Sequence, residues 1–218
     1  MIVLNNMSFS YKKGGKEIFK NVNMQFDTGL FYVLYGKSGI GKTTFLKLLG
    51  GLLSPTSGRI EFSGKDINNL KNNYRKENIS LIFQDYCLIP YMTPVENVQL
   101  ALGIQGQSRS DYEIRRMFNE FDISEDECSR RVSRLSGGEQ QRVAIVRSVI
   151  LETDCLLADE PTGNLDEENE LKIIKLLKDI AYDKGKCVIV ASHSKEVLEA
   201  ADIAYRVRNG ELVQEMKE

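Results

Sequence analysis

Eight consecutive residues, Gly36-Lys37-Ser38-Gly39-Ile40-Gly41-Lys42-Thr43, place glycine, lysine and a hydroxyl at the spacing G-x-x-x-x-G-K-[ST]. Glycines let a backbone wrap an anion with its N–H groups, and a helix starting there adds the positive end of its dipole. In such a loop Lys42 reaches the β- and γ-phosphates of a nucleotide, and Thr43 offers its hydroxyl to Mg²⁺. A phosphate loop also needs an acid on a neighbouring strand. The run Cys155-Leu156-Leu157-Ala158-Asp159-Glu160 supplies two. Asp159, just past an apolar strand, falls at the carboxyl edge where open α/β sheets bind ligands, and is placed to anchor Mg²⁺ through water. Glu160 can polarise an attacking water as general base. Taken alone, Asp-Glu-Pro would also suit a simple helix cap.

A third segment, Leu135-Ser136-Gly137-Gly138-Glu139-Gln140-Gln141-Arg142, puts a hydroxyl and two exposed amides at a helix start. That is another anion-binding device, although Ser136 as a plain N-cap reads the same way. Other residues stand at the ends of elements: Tyr11 after an N-terminal strand, Gln84 after Ile79 to Phe83, Asp166 before a helix, and His193 after a buried strand. His193 is the single histidine of the chain. A lone histidine is more often structural than catalytic, and the tyrosine and glutamine positions are equally compatible with packing and surface.

The elements that must position these residues follow from hydrophobic pattern. Ile2 to Leu4 and Met7 to Tyr11 are short and β-prone, Lys13-Gly14-Gly15-Lys16 marks a turn, and Val22 to Phe26 alternates. Phe31 to Tyr35 is apolar throughout, as a strand covered on both faces should be. Lys42 to Leu49 continues as a helix, stopped by Gly50, Gly51 and Pro55. Ile60 to Phe62, Ile79 to Phe83, Cys155 to Ala158 and Cys187 to Ala191 read as further strands. From about Pro94 to Arg134 the pattern is helical, with Ile114, Met117, Phe118 and Phe121 on one face. Leu171, Ile174, Leu177 and Ile180 mark a later amphipathic helix. Strands alternating with helices predict a three-layer α/β fold. The expected division is one domain over 1–218, with a core of about 1–88 and 146–218 and a helical subdomain of about 89–145.

Composition narrows the class. The 218 residues are enough to bury a core without disulfides or metal. Lys and Arg number 29 against 31 Asp and Glu, a net charge of −2, which argues against a nucleic-acid binder. Cys87, Cys128, Cys155 and Cys187 form no CxxC pair, which excludes a zinc or redox motif and suits a reducing cytosol. No apolar run approaches the ~20 residues of a spanning helix, and the start of the chain lacks a signal-peptide pattern. The expectation is a cytoplasmic protein that can still sit against a membrane protein.

The segment Ser136-Gly137-Gly138-Glu139-Gln140, between a phosphate loop and an Asp-Glu pair, resembles the signature motif of ATP-binding-cassette (ABC) ATPases. The resemblance covers nearly the whole chain. It implies a P-loop NTPase (RecA-like) core with an N-terminal antiparallel β subdomain and an inserted α-helical subdomain. It implies that Tyr11 stacks on adenine, that Gly36 to Thr43 together with Thr44 bind the nucleotide, and that Gln84 senses Mg²⁺ and the membrane partner. By the same resemblance Asp166 couples two active sites and His193 contacts the γ-phosphate. Two copies would pair head to tail around two ATP molecules, with Ser136, Gly137, Gly138, Glu139 and Gln140 of one copy acting in trans on the nucleotide of the other. An integral membrane permease would be the partner, and the position would be peripheral on the cytoplasmic face.

Leu157 to Asp166, together with Phe83-Gln84, Leu88, Pro90, Thr93 and Glu96-Asn97-Val98, resembles the branch serving macrolide export, lipoprotein release, antimicrobial-peptide resistance and a division-associated pair. Lys37, Thr43 and Arg131 to Arg134 depart from the commonest pattern without touching the ATPase chemistry. The end at Glu218 leaves no room for a C-terminal regulatory domain. The alternative from a different class is a non-transport ATPase that regulates a cell-envelope or division partner. A DNA-repair cassette would need long coiled-coil insertions, for which there is no heptad run. A small-molecule kinase would have no use for residues 135–142.

Overall fold

The computed structural model describes residues 1–12, 15–70, 72–163 and 165–215. Lys13 and Gly14 of the expected turn lie outside the described residues, as does Asn164 within the segment that ends at Asp166. In chain order the elements are β1 (Ile2–Phe9), β2 (Phe19–Phe26), β3 (Phe31–Tyr35), α1 (Lys42–Leu49), β4 (Ser57–Phe62), β5 (Lys65–Asp66), α2 (Ile67–Leu70), α3 (Asn72–Asn78) and β6 (Ile79–Ile82). There follow α4 (Pro94–Gln105), α5 (Asp111–Glu120), α6 (Glu125–Ser129), α7 (Gly137–Val149), β7 (Cys155–Asp159), α8 (Glu167–Tyr182), β8 (Cys187–Ala191), α9 (Lys195–Ala200), β9 (Ile203–Arg208) and β10 (Glu211–Glu215).

Among the described residues the strands form two sheets. One is antiparallel, in the order β2-β1-β4-β5. The other runs β10-β9-β3-β8-β7-β6, parallel from β9 through β6 and closed at one edge by the antiparallel β10. Instead of the two short strands expected at the N-terminus there is one. Its pairing with β2 shifts register between Leu4 and Met7, where Asn6 has φ 49°. An extra residue at a bulge lets a strand bend and continue.

The apolar runs of β3, β7 and β8 are explained by what covers each face. Tyr32, Leu34, Cys155, Leu157, Ile189 and Ala191 pack toward α1 and the antiparallel sheet, with Phe45, Leu48 and Leu49. The alternate residues Phe31, Val33, Leu156, Ala158, Val188 and Val190 join a second apolar cluster on the opposite face. Period-two alternation therefore places the apolar residues of these strands in one of two cores, and leaves Asp159 at the end of β7 for the cleft.

The helical region from α4 to α7 is held by end chemistry as much as by packing. Thr93 with Glu96, Ser110 with Glu113, Ser124 with Glu127 and Ser136 with Glu139 each form a reciprocal capping box. Each cap is worth about 1 kcal/mol, which matters most for a helix as short as α6. Ile114 and Phe118 are buried as the spacing predicts, and Phe121 and Met117 pack beside them. On α8 the buried stripe is Ile173, Ile174, Leu177, Ile180 and Ala181, whereas Leu171 is exposed. At ~100° per residue, position 171 falls roughly 120° from the centre of that stripe.

Candidate nucleotide site

The phosphate loop links β3 to α1 at the centre of the parallel sheet. Its conformation needs glycine at specific points. Gly36 has φ 151°, and a Cβ there would stand 2.9 Å from the Val207 carbonyl oxygen and 3.3 Å from Ile40 Cγ2. Gly41, the N-cap of α1, has φ 116°, and a Cβ would meet Ile18 and Phe19 at 3.0 and 3.2 Å. Ile40, expected among the nucleotide-binding residues, is partly buried against the apolar cluster that includes Phe19 and Phe45.

A cleft of about 470 Å³ opens above this loop, lined by Gly36 to Gly39, Gly41 to Thr44, Gln84, Asp159, Glu160, Gly163 and His193. Residues from the ends of β3, β6, β7 and β8 meet there because parallel strands bring their carboxyl ends to one edge. The Lys42 ammonium is buried. It donates to the Gly36 carbonyl at 2.9 Å and lies 3.5 Å from Glu160 Oε1. Glu160 has φ 50°, and its N–H donates to the Ala191 carbonyl at 2.8 Å, which turns the side chain back across β8. Its other carboxylate oxygen lies 2.9 Å from His193 Nδ1. An ionised carboxylate only accepts, so this contact puts the proton on Nδ1. His193 is otherwise exposed, and Glu160 is largely covered.

Asp159 is buried at the end of β7, and that burial pushes its carboxyl above the usual aspartate range. A hydrogen bond from Thr43 partly opposes the shift. Thr43, Asp159 and Gln84 offer oxygen atoms to one cleft, the donor type that Mg²⁺ takes. Among the described residues no group of three His, Cys, Asp or Glu could hold a metal by itself. The donor set therefore fits an ion that shares its coordination with phosphates and water.

The remaining expected residues lie elsewhere. The Tyr11 hydroxyl is 2.8 Å from Thr44 Oγ1 and its ring stands edge-on to Phe9, leaving Tyr11 63% exposed beside the loop. Ser136, Gly137, Gly138, Glu139 and Gln140 open α7 outside the cleft. There Ser136 caps the helix and Gln140 donates to the Leu135 carbonyl at 2.9 Å. Asp166 caps α8, accepting from the Asn169 N–H at 2.9 Å, and that bond holds its carboxyl below the usual range.

Sequence reasoning missed Gly163, which lines the cleft. It also missed the buried Gln141, which donates to the Pro161 carbonyl and so ties α7 to the Glu160 loop. The adjacency of Gln141 to Gln140 was visible, but its inward direction was not.

The ABC transporter family profile matches residues 19–163. The chain is 38% identical to the uncharacterized ABC transporter ATP-binding protein YclH of Bacillus subtilis, over 96% of this chain and 94% of that one. It is 36% identical to the lipoprotein-releasing system ATP-binding protein LolD of Buchnera aphidicola, over 95% and 94%. The dimeric structure of the cassette MJ0796, from Methanocaldococcus jannaschii, superposes with a TM-score of 0.90 at 33% identity, over 99% of this chain and 98% of that one. A second structure of MJ0796, a post-hydrolysis state bound to ADP and Pi, superposes with a TM-score of 0.89 at 33% identity, over the same 99% and 98%. With a profile that spans well over half the chain and relatives aligned over nearly all of it, the protein belongs to the ABC transporter family, as one of its ATP-hydrolysing ATP-binding subunits.

Proposed function

We propose that this cleft binds and hydrolyses ATP, and that two copies pair head to tail to power a separate membrane permease from the cytoplasmic face. One observation carries the reading: Lys42, Asp159, Glu160 and His193 converge on a single cleft, whereas the signature residues stand outside it. Lys42 holds the β- and γ-phosphates with the backbone of Gly36 to Gly41, and Thr44 and Tyr11 flank the nucleotide. Mg²⁺, when bound, neutralises phosphate charge, and Thr43, Gln84 and, through water, Asp159 are the residues to hold it. Glu160 accepts a proton from water as its oxygen bonds to the γ-phosphorus. The bond to the β–γ bridging oxygen breaks, giving ADP and phosphate. His193, fixed by Glu160, faces the γ-phosphate side.

The lobe of about 89–145 then carries Ser136 to Gln140 to the nucleotide of the other copy, and Asp166 couples the two sites. The core is about 1–88 and 146–218. The groove beside Gln84 and the helical lobe receives the membrane subunit. The work is export or force transmission for lipoproteins, antimicrobial peptides or drugs. Relatives named for lipoprotein release support a transport-coupled role over a regulator of an envelope or division partner. Among the described residues no helix is long and apolar enough to cross a membrane, so the permease is a separate chain in this reading.

The test begins with Glu160→Gln, which should keep ATP binding and lose turnover by about 10²- to 10⁴-fold. The ATP-bound pair should then accumulate in size-exclusion chromatography. Adding Ser136→Arg should leave ATP binding by the monomer near parental and abolish pairing. Loss of monomer ATP binding on Ser136→Arg would show that the signature acts in cis, and near-normal turnover by Glu160→Gln would remove Glu160 as base.

A further inference from the structure

Gln84 stands on two consecutive tight turns. The Tyr86 N–H donates to the Phe83 carbonyl at 3.0 Å, closing a turn whose first inner residue is Gln84. The Cys87 N–H then donates to the Asp85 carbonyl at 2.6 Å. Tyr86 has φ 58° and Cys87 has φ 49°. A bond from residue i+2 back to i around a positive-φ residue marks the rare, strained hand of the γ-turn. Two adjacent side-chain-bearing residues in the left-handed region persist only where their surroundings hold them.

Arg147, on the last full turn of α7, does the holding. Its Nη1 donates to the Cys87 carbonyl at 2.5 Å and its Nη2 to the Tyr86 carbonyl at 2.7 Å. A planar fork spans two carbonyls in a way that a single ammonium does not. The next residue, Ser148, donates to the Leu81 carbonyl at 3.0 Å and so fixes the strand from which the turns depart. At the other end of this 13-residue helix is Ser136.

We propose that Arg147 is a positioning residue for ATP hydrolysis, holding the strained Tyr86–Cys87 turn so that Gln84 stays aimed into the cleft and linking Gln84 to the signature helix. This rests on the reading of Gln84 as a residue that serves the cleft. In the head-to-tail pair, a nucleotide of the other copy docked at Ser136 would thereby bias Gln84 of this copy through one rigid helix.

The experiment is a double-mutant cycle on the full chain, with kcat and KM for ATP measured in all variants. Arg147→Met should lower kcat about tenfold, the effect of losing charge-assisted bonds, and Arg147→Lys should lower it less. KM should stay within about twofold in both, because the phosphate loop is untouched. Gln84→Ala should lower kcat at least as far, and adding Arg147→Met should lower it no further, since the arginine acts through the glutamine. If the two losses multiply, or Arg147→Met leaves kcat unchanged while Gln84→Ala lowers it, the role of Arg147 is overturned. Wild-type kcat in Gln84→Ala would overturn the reading of Gln84 itself, and the proposal with it. Should Arg147→Met fail to fold, the same cycle with Arg147→Lys decides between these outcomes.

Discussion

Left-handed backbone occurs on both walls of the cleft and is stabilised in opposite ways. In the phosphate loop it falls on glycines: Gly36, Gly39 and Gly41 have φ 151°, 75° and 116°. Across from it, in the loops that bring Gln84 and Glu160 to the cleft, it falls on Tyr86, Cys87 and Glu160, which all carry side chains. Glycine adopts such angles with no steric penalty, so the phosphate loop takes its shape without stored backbone strain. The other wall is kept in place by outside contacts: Arg147 on the Tyr86 and Cys87 carbonyls, and Ala191 on the Glu160 N–H. One wall is therefore a preformed cradle. The other is a pair of loops whose geometry depends on neighbours that can shift. Strain of this kind belongs where a site must change state.

Three substitutions would break or sharpen that contrast. Lys42→Ala should have the largest effect. It removes the cradle's cation and should weaken ATP binding by about 100-fold or more, several charge-assisted bonds being lost together. Equilibrium nucleotide binding checks this, and near-parental affinity would mean that Lys42 serves Glu160 rather than phosphate. Gly36→Ala comes next. The new Cβ meets a backbone oxygen at 2.9 Å in a conformation that L residues rarely adopt. The cost should be about 1–3 kcal/mol of stability by denaturant unfolding, together with weaker ATP binding. Cys87→Gly should be the smallest and of opposite sign. It relieves left-handed strain on an exposed residue, so unfolding stability should change by less than about 1 kcal/mol and toward stabilisation. A clear destabilisation there would show that the Gln84 wall is not strained, and the contrast would collapse.

The sequence was informative wherever chemistry is written in consecutive residues. The phosphate loop, the Asp159-Glu160 pair and Ser136 as the cap of α7 are all local, and each follows from spacing. The two-faced burial of β3, β7 and β8 was legible because a run without polar residues leaves no face for water. What escaped was set by tertiary direction. Arg147 on a helix reads as a solvated cation until its carbonyl partners, some sixty residues earlier, are known. The contact between Glu160 and His193 joins the ends of two strands 33 residues apart. Only the family resemblance brought His193 forward. The hairpin of β9 and β10 was missed: β10, at the sheet edge, is mostly exposed, and β9, between β10 and β3, carries two arginines that break up its apolar run.

The sheet order also governs when the protein can begin to work as it is made. Strand β3, which carries the phosphate loop, pairs with β8 on one side and β9 on the other, and Gly36 closes against Val207. The loop leaves the ribosome early, but its flanking strands emerge about 150 to 170 residues later, roughly 10–30 s at ordinary synthesis rates. Until then the nascent chain lacks the strands that set the loop's curvature, and Glu160 lacks the Ala191 carbonyl that orients it. ATP capture therefore waits until β8 and β9 have emerged. A ribosome-stalled chain ending before β8 should retain no nucleotide, and one that includes β9 should.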